Sequence, residues 1–257
     1  MKDVGLHSVS AAAPRPAPRP RLLRFAFDGP VLPRVTETVY VAELARRRLQ
    51  GIFGRLFDGA TSPLFSGKAP DGSPLADHAH AFFLPVDEDR DGRLEHFLLY
   101  AAEGFGRREL RAIDAWRKTR LPGGLEAHIV WLGEDEALPS ARVWRSATPF
   151  VPTRHYKERG TRRDTFPREH LAAVNLREEL QRRGYPPLVA DPRPLDHLML
   201  DGRPLPWRHF RQWRVLGEGR RGNDFGRGFQ IAFARPVSGP LALGYACHFG
   251  LGLFVPA

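Results

Sequence analysis

The stretch that decides the fold is HAHAFFLPVDEDRDGRLEHFLLYAA, residues 78–102. Two apolar runs, 78–86 and 94–102, flank an acidic turn with the sequence DEDRDGR. Runs rich in aromatic and aliphatic residues that are bounded by turn residues are typical of β-strands. We therefore predict a β-hairpin here, and the rest of the first half is assigned outward from it.

Helical and strand patterns follow one another on both sides of this hairpin. In chain order they are a strand at 21–29, a helix at 35–57, a Gly/Pro/Ser-rich loop at 58–77, the hairpin, a helix at 107–119 and a strand at 125–133. Apolar spacing separates the helices from the strands. The order is β-α-β-β-α-β, which predicts a ferredoxin-like unit.

The second half repeats this order less completely. It offers a strand at 141–150, a helix at 167–184, a Pro-rich stretch at 185–206, strands at 209–215 and 228–236, and a Gly-rich C-terminal segment at 239–257. A second helix is missing or reduced to a turn. We predict an α+β fold of two tandem ferredoxin-like units, 21–135 and 136–257, of which the second is degenerate and carries a C-terminal Gly-rich loop. A Pro/Arg-rich arm, 1–20, precedes them.

The charge balance indicates a polyanionic partner. Thirty-nine lysine and arginine residues stand against 29 aspartate and glutamate residues, which leaves a formal net charge of +10. Nearly all of the basic residues are arginine, which is always charged, pairs with phosphate through a planar fork and stacks on bases. A GC-rich coding bias would explain arginine in place of lysine but not the net charge, so the composition favours nucleic acid.

Cysteine content and hydropathy exclude several classes of protein. Cys247 is the only cysteine, which excludes an internal disulfide framework and a multi-cysteine zinc site and fits a reducing cytoplasm. The apolar runs are shorter than the roughly 20 residues that span a bilayer. We expect a cytoplasmic protein without a cofactor.

The acidic turn resembles the start of a calcium-binding loop. Asp87, Asp89, Asp91 and Gly92 match D-x-D-x-D-G, but the twelfth loop position is Leu98 instead of a bidentate glutamate. The flanking segments are also predicted strands. We therefore interpret this segment as a solvated hairpin turn.

His78 and His80 form an H-x-H pair at the predicted start of the second strand. On a strand, residues two apart share a face, which would place the two imidazoles roughly 7 Å apart. They can be an acid–base pair for a phosphodiester, with one ring taking a 2′-hydroxyl proton and the other protonating the leaving oxygen. Structural histidines are an equal alternative. Metal ligation is the weakest alternative, because no partner carboxylates or second H-x-H lie nearby.

Basic segments and a Gly-rich loop are the candidate RNA contacts. Arginines mixed with aromatic residues suit RNA, whose bases stack while its phosphates pair with charge. The glycines permit close backbone approach, so their N–H groups could face phosphate. Solvated surface charge and ordinary tight turns are the alternatives. The candidates are Arg154, His155, Lys157, Arg162 and Arg163 in 153–163, Arg211 and Arg214 in 203–227, and Gly244, His248, Gly250 and Gly252 in the Gly-rich loop.

Four segments resemble a known family. They are HAHAFFLPVDEDRDGRLEHFLLYA (78–101), VWRSATPFVPTRHYK (143–157), LREELQRRGYPP (176–187) and GPLALGYACHFGLGLF (239–254). Together they are similar to the C-terminal part of the fused RAMP protein of type I-U (I-G) CRISPR systems, which is a repeat-processing nuclease of the Cas-six family. The resemblance covers nearly the whole chain from Arg21 on.

The resemblance implies a metal-independent endoribonuclease with two ferredoxin-like folds. Such enzymes cleave CRISPR repeat RNA by attack of a 2′-hydroxyl on the adjacent phosphorus and yield mature crRNA. Family members place their catalytic histidine near the first helix or in the loop after it, sometimes with a helping lysine. Here that place is 58–80, which contains Lys68, His78 and His80, and we expect His80 to carry the chemistry with His78 or Lys68 assisting. His248 is the rival.

Two other classes of function stay open. Some RAMP proteins bind crRNA within a type I effector complex without cutting it, and the same basic, Gly-rich sequence would serve them. A generic RNA-binding module unrelated to CRISPR is the third reading. Cleavage of repeat RNA in EDTA separates the first class from the others.

Removal of Arg162 and Arg163 together should weaken binding of repeat RNA without moving the cut, because arginine–phosphate contacts act on the backbone and release counterions. The measurement is a titration with labelled repeat RNA at several salt concentrations. Affinity equal to that of the unchanged protein would remove this loop from the RNA interface.

Overall fold

The computed structural model describes residues 19–76, 78–134, 138–161, 163–216 and 226–257. Residues 1–18 of the predicted arm lie outside the described residues, as does Arg162. The predicted boundary between 135 and 136 falls in an undescribed gap and stays a prediction.

The first half forms a five-stranded antiparallel sheet with helices on one face. Its elements are β1 Leu22–Asp28, α1 Thr38–Leu56, α2 Pro63–Ser66, β2 Phe82–Val86, β3 His96–Tyr100, α3 Arg107–Asp114, β4 Lys118–Arg120 and β5 Glu126–Glu134. The strand order is β2-β3-β1-β5-β4. The predicted hairpin, both main helices and the strands expected at 21–29 and 125–133 are confirmed, although the helix expected at 107–119 ends early and β4 follows it.

The second half forms another five-stranded antiparallel sheet. Its elements are β6 Ser140–Ser146, α4 Leu171–Arg182, β7 Arg193–Leu195, β8 His197–Leu200, β9 Arg203–Pro206, β10 Gly228–Ser238, β11 Leu241–Ala242 and β12 Leu253–Pro256. The sheet order is β11-β12-β6-β10-β7, and β8 and β9 form a separate hairpin. An α+β fold with antiparallel sheets is thus confirmed, whereas its interpretation as tandem ferredoxin-like units stays a prediction.

The strand expected at 209–215 is wrong. A 3-10 turn, Trp207–His209, is followed by irregular backbone. Trp207 and Phe210 are both buried in the core of the first half. Side chains three residues apart face the same way on a helical turn but opposite ways on a strand, so their burial favours the turn.

Alternating burial fixes β1 against α1. Leu23, Phe25 and Phe27 are buried on one face of β1, where they pack with the apolar face of α1. Phe25 also meets Trp116 edge to face with ring centroids 5.3 Å apart. Fully burying side chains of this size stabilises the fold by roughly 1.5–3 kcal/mol each, so this layer holds the first half together.

Strand β2 is buried on both of its faces. Phe83 points into the core beneath α1, whereas Phe82, Leu84 and Val86 pack against residues of the second half. The second half contributes Ala242, Cys247 and Leu253 to this contact. Strand β2 is an edge strand of its sheet and contains Pro85, which edge strands tolerate. The second half therefore covers the face of β2 that points away from α1.

The Gly-rich loop is a compact turn packed on protein. Gly244, Gly250 and Gly252 all have φ between +58° and +87° and lie between β11 and β12 around the 3-10 turn Cys247–Phe249. A Cβ on Gly252 would lie 1.8 Å from the carbonyl oxygen of Leu243. The loop therefore needs glycine here for space as well as for its backbone angles.

None of the helices in the described ranges is both long enough and apolar enough to cross a membrane.

We expect Gly252→Ala to lower the free energy of unfolding by at least ~2 kcal/mol, because it adds a backbone clash to the cost of left-handed φ in a residue with a side chain. Gly202→Ala is the matched control, since Gly202 has φ +74° and open space around its Cβ position. Urea unfolding followed by tryptophan fluorescence measures both variants. Equal losses would show that backbone angle alone makes Gly252 necessary.

Candidate active site

The candidate site lies directly before β2, in the segment that carries His78 and His80. The prediction that the two histidines share a strand face is wrong, because β2 begins only at Phe82 and His78 has φ +57°. The two-residue period of a strand does not apply there. The histidines are brought together by contacts with other elements.

The loop after α1 holds His80 from one side. Arg46 of α1 donates a 2.7 Å hydrogen bond from Nε to the carbonyl of Phe65 and another from Nη2 to the carbonyl of Ser66. These bonds fix α2 and the left-handed Gly67 that ends it. A Cβ on Gly67 would lie 3.3 Å from the His80 ring, so the glycine backbone lies flat against the imidazole.

The Gly-rich loop holds His80 from the other side. His248 stacks on His80 with ring centroids 3.5 Å apart and on Phe82 with centroids 3.8 Å apart. His248 itself is 8% exposed. The His80 ring is therefore enclosed between Gly67 and His248, while remaining half-buried. Its orientation is set by packing on both ring faces.

A hydrogen-bond chain connects three of the side chains. The Nη2 of Arg183 lies 2.7 Å from Nε2 of His78, and Nδ1 of His78 lies 2.7 Å from Nε2 of His248. The Nδ1 of His248 lies 3.2 Å from the carbonyl oxygen of Ala81. One set of neutral tautomers satisfies the chain, in which each histidine carries its proton on Nδ1 and accepts on Nε2. We assign these tautomers.

A buried glutamate orients Arg183. Glu179 is 1% exposed and lies one helical turn before Arg183 on α4, with a 3.1 Å ion pair between them. The Glu179 carboxylate also accepts the N–H of Gly244 at 3.0 Å. Arg183 further donates to the carbonyl oxygen of Ala242 at 2.9 Å. Glu179 therefore ties α4, the Gly-rich loop and Arg183 into one polar unit, in which the buried charges are paired.

The electrostatic environment keeps the histidines neutral. Burial, reinforced by the Arg46 guanidinium, lowers the pKa of His80 to about 4. Burial also holds the pKa of His248 well below its usual range, and the neighbouring His80 and His78 add to the effect. At neutral pH both His80 and His248 are therefore bases, not cations.

Cys247 joins His78 and His248 in a group whose ligand atoms lie within 4.8 Å of one another. Histidine and cysteine are zinc ligands. However, the Arg183 cation lies 3.5 Å from the Cys247 sulfur, where its charge would repel a metal ion. Burial also raises the pKa of this thiol to about 12, which opposes the thiolate that metal binding needs. These donors do not fit a metal ion, and a metal-free site stays our prediction.

The carboxylates of the acidic turn accept hydrogen bonds from backbone N–H groups of the same turn. Asp87 accepts the N–H of Gly92 at 3.0 Å, and Asp89 accepts the N–H of Asp91 at 3.1 Å. The segments around the turn are strands β2 and β3, as expected. These hydrogen bonds give the carboxylates a structural role in the hairpin.

Lys68 lies next to the candidate site in the chain. It directly follows Gly67, the residue that packs on the His80 ring, and it is exposed. In the described part of the chain its ammonium group forms no ion pair. Its catalytic role stays a prediction.

The predicted RNA contacts in 153–163 are partly engaged with acidic residues. The Nη1 of Arg154 donates to both carboxylate oxygens of Asp164 at 2.9 and 3.0 Å, and Arg154 forms a second ion pair with Glu178 at 3.3 Å. His155, Lys157 and Arg163 are exposed. Binding of RNA by this loop stays a prediction.

Arg211 and Arg214 lie against α1. Arg211 pairs with Glu37 at 3.0 Å, and Arg214 pairs with the buried Glu43 at 2.8 Å. The Arg214 guanidinium also covers the Phe249 ring at 4.6 Å. These arginines attach the 211–216 segment to the first half, and their charge is compensated.

The interpretation that the glycine N–H groups face phosphate requires correction. The N–H of Gly244 bonds to Glu179, that of Gly250 to the Cys247 carbonyl at 3.2 Å, and that of Gly252 to the Pro149 carbonyl at 2.9 Å. A hydrogen that is already bonded inside the protein is not available to a phosphate. His248 is likewise buried.

Sequence reasoning missed Arg46, Glu179 and Arg183. Glu179 and Arg183 are four residues apart in LREELQRRGYPP, a spacing that pairs them on one helical face. The sequence contains that signal, but α4 has several acidic and basic residues, and only burial distinguishes this pair.

Comparison with known proteins finds similarity only among solved structures. No protein-family model matches, and no curated protein matches. A structure described as "CRISPR associated protein Cas6" is 11% identical over 92% of this chain and 98% of its own, with a TM-score of 0.42. A Cas6-related protein from Pyrococcus furiosus is 13% identical over 92% and 98%, with a TM-score of 0.42. A Cas6 product complex is 16% identical over 94% and 100%, with a TM-score of 0.43. Similarity at this level assigns no function to the chain.

The neutral histidines predict a loss of stability in acid. The unfolded state binds protons near pH 6.5, whereas the folded state resists them because the pKa of His248 is lowered. Stability is therefore fully present above about pH 6.5 and falls as pH decreases, by at most ~1.4 kcal/mol per pH unit for each such group. His248→Gln should reduce this slope between pH 7 and 5 in urea unfolding.

His128→Gln is the control for that measurement, because His128 is exposed on β5. It should leave the slope unchanged. A slope in His248→Gln as steep as in the unchanged protein would contradict a neutral, buried His248.

Proposed function

We propose that this chain is a metal-independent endoribonuclease that cleaves CRISPR repeat RNA to give mature crRNA. The observation that carries the proposal is the convergence of His78 and His80 with His248, which lies 170 residues from His78 along the chain. A neutral, oriented imidazole beside an arginine suits proton transfer at a phosphodiester. The resemblance of four sequence segments to the Cas-six family and the net charge of +10 support RNA as substrate.

His80 is the proposed general base. Its pKa of about 4 keeps the ring unprotonated at neutral pH, and it forms no hydrogen bond to another side chain in the described ranges. By contrast, both ring nitrogens of His78 are engaged, one by Arg183 and one by His248. His80 is therefore the histidine whose nitrogen can receive a proton from RNA.

The reaction needs no metal, and its nucleophile is the RNA 2′-oxygen instead of water. The 2′-oxygen attacks the adjacent phosphorus while its proton passes to His80, and the bond from phosphorus to the 5′-oxygen breaks. The Lys68 ammonium group or a water molecule returns a proton to that oxygen, because both ring nitrogens of His78 are already engaged by Arg183 and His248. The products are a 2′,3′-cyclic phosphate and a 5′-hydroxyl end. Lys68 and the Arg183 guanidinium contribute positive charge toward the developing phosphorane.

The exposed basic residues of 153–163 are proposed to hold RNA backbone near this site. The compensated pairs at Arg154, Arg211 and Arg214 suggest a second role for those residues, in positioning the segments.

Two tandem ferredoxin-like units, divided near residues 135 and 136, remain our interpretation of the fold. The strand order β2-β3-β1-β5 of the first sheet supports it for the first half.

A crRNA-binding subunit of a type I effector complex that does not cut is the second candidate function. The satisfied hydrogen-bond chain at His78 favours it, since such a chain also serves a purely structural role. The same basic surfaces would then retain crRNA. Discrete cleavage in EDTA decides between the two functions.

His80→Ala should slow cleavage of repeat RNA by roughly 100- to 10,000-fold, the usual contribution of a positioned proton-transfer group. Affinity should change little, because one neutral ring contributes little to phosphate binding. Lys68→Ala should cost less, on the order of 10-fold, as the loss of one charge. Single-turnover rates at saturating protein, in EDTA, measure both effects.

His128→Ala is the control, because it removes an exposed histidine far along the chain on β5. For the unchanged protein, kcat/KM should fall only when the pH approaches about 4, the pKa of His80. A His80→Ala variant that cuts at the unchanged rate, together with an inactive but folded His248→Ala variant, would move the chemistry to the Gly-rich loop.

A further inference from the structure

One group of exposed basic residues without an acidic partner in the described ranges lies on α1, α3 and β4 of the first half. Six exposed residues form this helical basic face: Arg48, Arg55, Arg107, Arg108, Arg111 and Lys118. Within the described ranges, none of the six forms an ion pair. By contrast, Arg154, Arg211 and Arg214, which the sequence favours, are all paired with carboxylates.

Contacts between elements make the six residues one surface. Arg48 of α1 donates a 3.3 Å hydrogen bond to the Lys118 carbonyl of β4. Arg108 and Arg111 of α3 extend over the Phe57 ring at the end of α1, with distances of 4.3 and 5.7 Å to its centroid. Arg55 lies seven residues after Arg48 and so on the same side of α1, roughly 10 Å along the axis.

Little acidic charge offsets this face. Asp114 is paired with Arg117 at 3.7 Å, and Glu109 accepts a 2.8 Å hydrogen bond from Ser62. A cluster of arginines with so little acidic charge beside it is costly by self-repulsion unless a polyanion binds it. The face therefore fits a phosphate backbone.

We propose that the helical basic face binds the double-stranded stem of an RNA hairpin. Single-stranded RNA binds best where aromatic rings are open for stacking on bases. Here Phe53 is buried, and the guanidinium of Arg108 covers Phe53 at 5.1 Å as well as Phe57 at 4.3 Å. The outward groups are cations, which suit the phosphates and 2′-hydroxyls of an A-form duplex.

The surface is connected to the candidate active site through α2. Ser62, which caps α2 before Gly67, donates a 2.8 Å hydrogen bond to Glu109 of α3. The helix that carries Arg107, Arg108 and Arg111 therefore contacts the segment that packs on His80. This inference rests on the proposed binding of RNA but not on its cleavage.

The test is the triple variant R55Q/R107Q/R111Q, which avoids the hydrogen-bonded Arg48 and Arg108, the arginine that covers both Phe53 and Phe57. The triple variant R203Q/R208Q/R235Q is its control, because it removes the same charge from exposed residues elsewhere. Affinity for a hairpin RNA and for a single strand of equal length is measured across a range of salt concentrations. The helical-face variant should bind the hairpin roughly 10- to 100-fold more weakly, and its salt slope should fall by about 3, one for each arginine that no longer neutralises a phosphate.

Equal losses in the two triple variants, or an equal loss for hairpin and single strand, would overturn the proposal. If the helical-face variant binds the hairpin with unchanged affinity while the His80→Ala variant is inactive, the helical basic face does not bind the stem, although the proposed nuclease activity stands. A protein that never cuts but shows the predicted binding loss would keep the surface and refute the nuclease.

Discussion

The structure depends on the burial of β2 on both faces. Phe83 packs beneath α1, and Phe82 and Leu84 pack against the second half, so this short edge strand belongs to two cores at once. Its position is therefore fixed from both sides, and the residues directly before it are held in place as a result. His80 lies two residues before Phe82, and the stacking of His248 on both rings continues the same packing into the candidate site.

The same burial also determines how the polar side chains at the site are paired and hydrogen-bonded. A buried carboxylate and guanidinium are stable only when each is paired and hydrogen-bonded, and the pair of Glu179 and Arg183 meets this need with the N–H of Gly244 and the carbonyl of Ala242. The Nη2 of Arg183, which pairs with Glu179, is thereby also directed toward His78 and the Cys247 sulfur, while the buried Nε of Arg183 has no hydrogen-bond partner in the described part of the chain. The orientation of His78 thus results from satisfying a buried ion pair on α4.

The sequence predicts the local elements of the first half well, because the hairpin, α1 and β1 have clear periodicity and turn residues. It fails at 209–215, where Trp207 and Phe210 serve the core of the other half, a contact that no local pattern contains. It finds His78 and His80 as a pair but gives the wrong reason for their proximity. The convergence with His248 depends on how two distant loops pack, and spacing along the chain does not encode that packing.

The number of arginines in a segment is a poor guide to how much of its positive charge is available to a partner. The segments 153–163 and 203–227 are rich in arginine, yet Arg154, Arg211 and Arg214 direct their charge to carboxylates elsewhere in the chain, such as Glu37 and Glu43. The residues of α1 and α3 look like ordinary amphipathic helices with a solvated polar side. Only the folded arrangement shows that Arg48 of α1 contacts β4 and that Arg108 and Arg111 of α3 cover Phe57, with no ion pair to an acidic residue in the described ranges. A net charge therefore indicates the kind of partner, and the pairing of each cation indicates where that partner can bind.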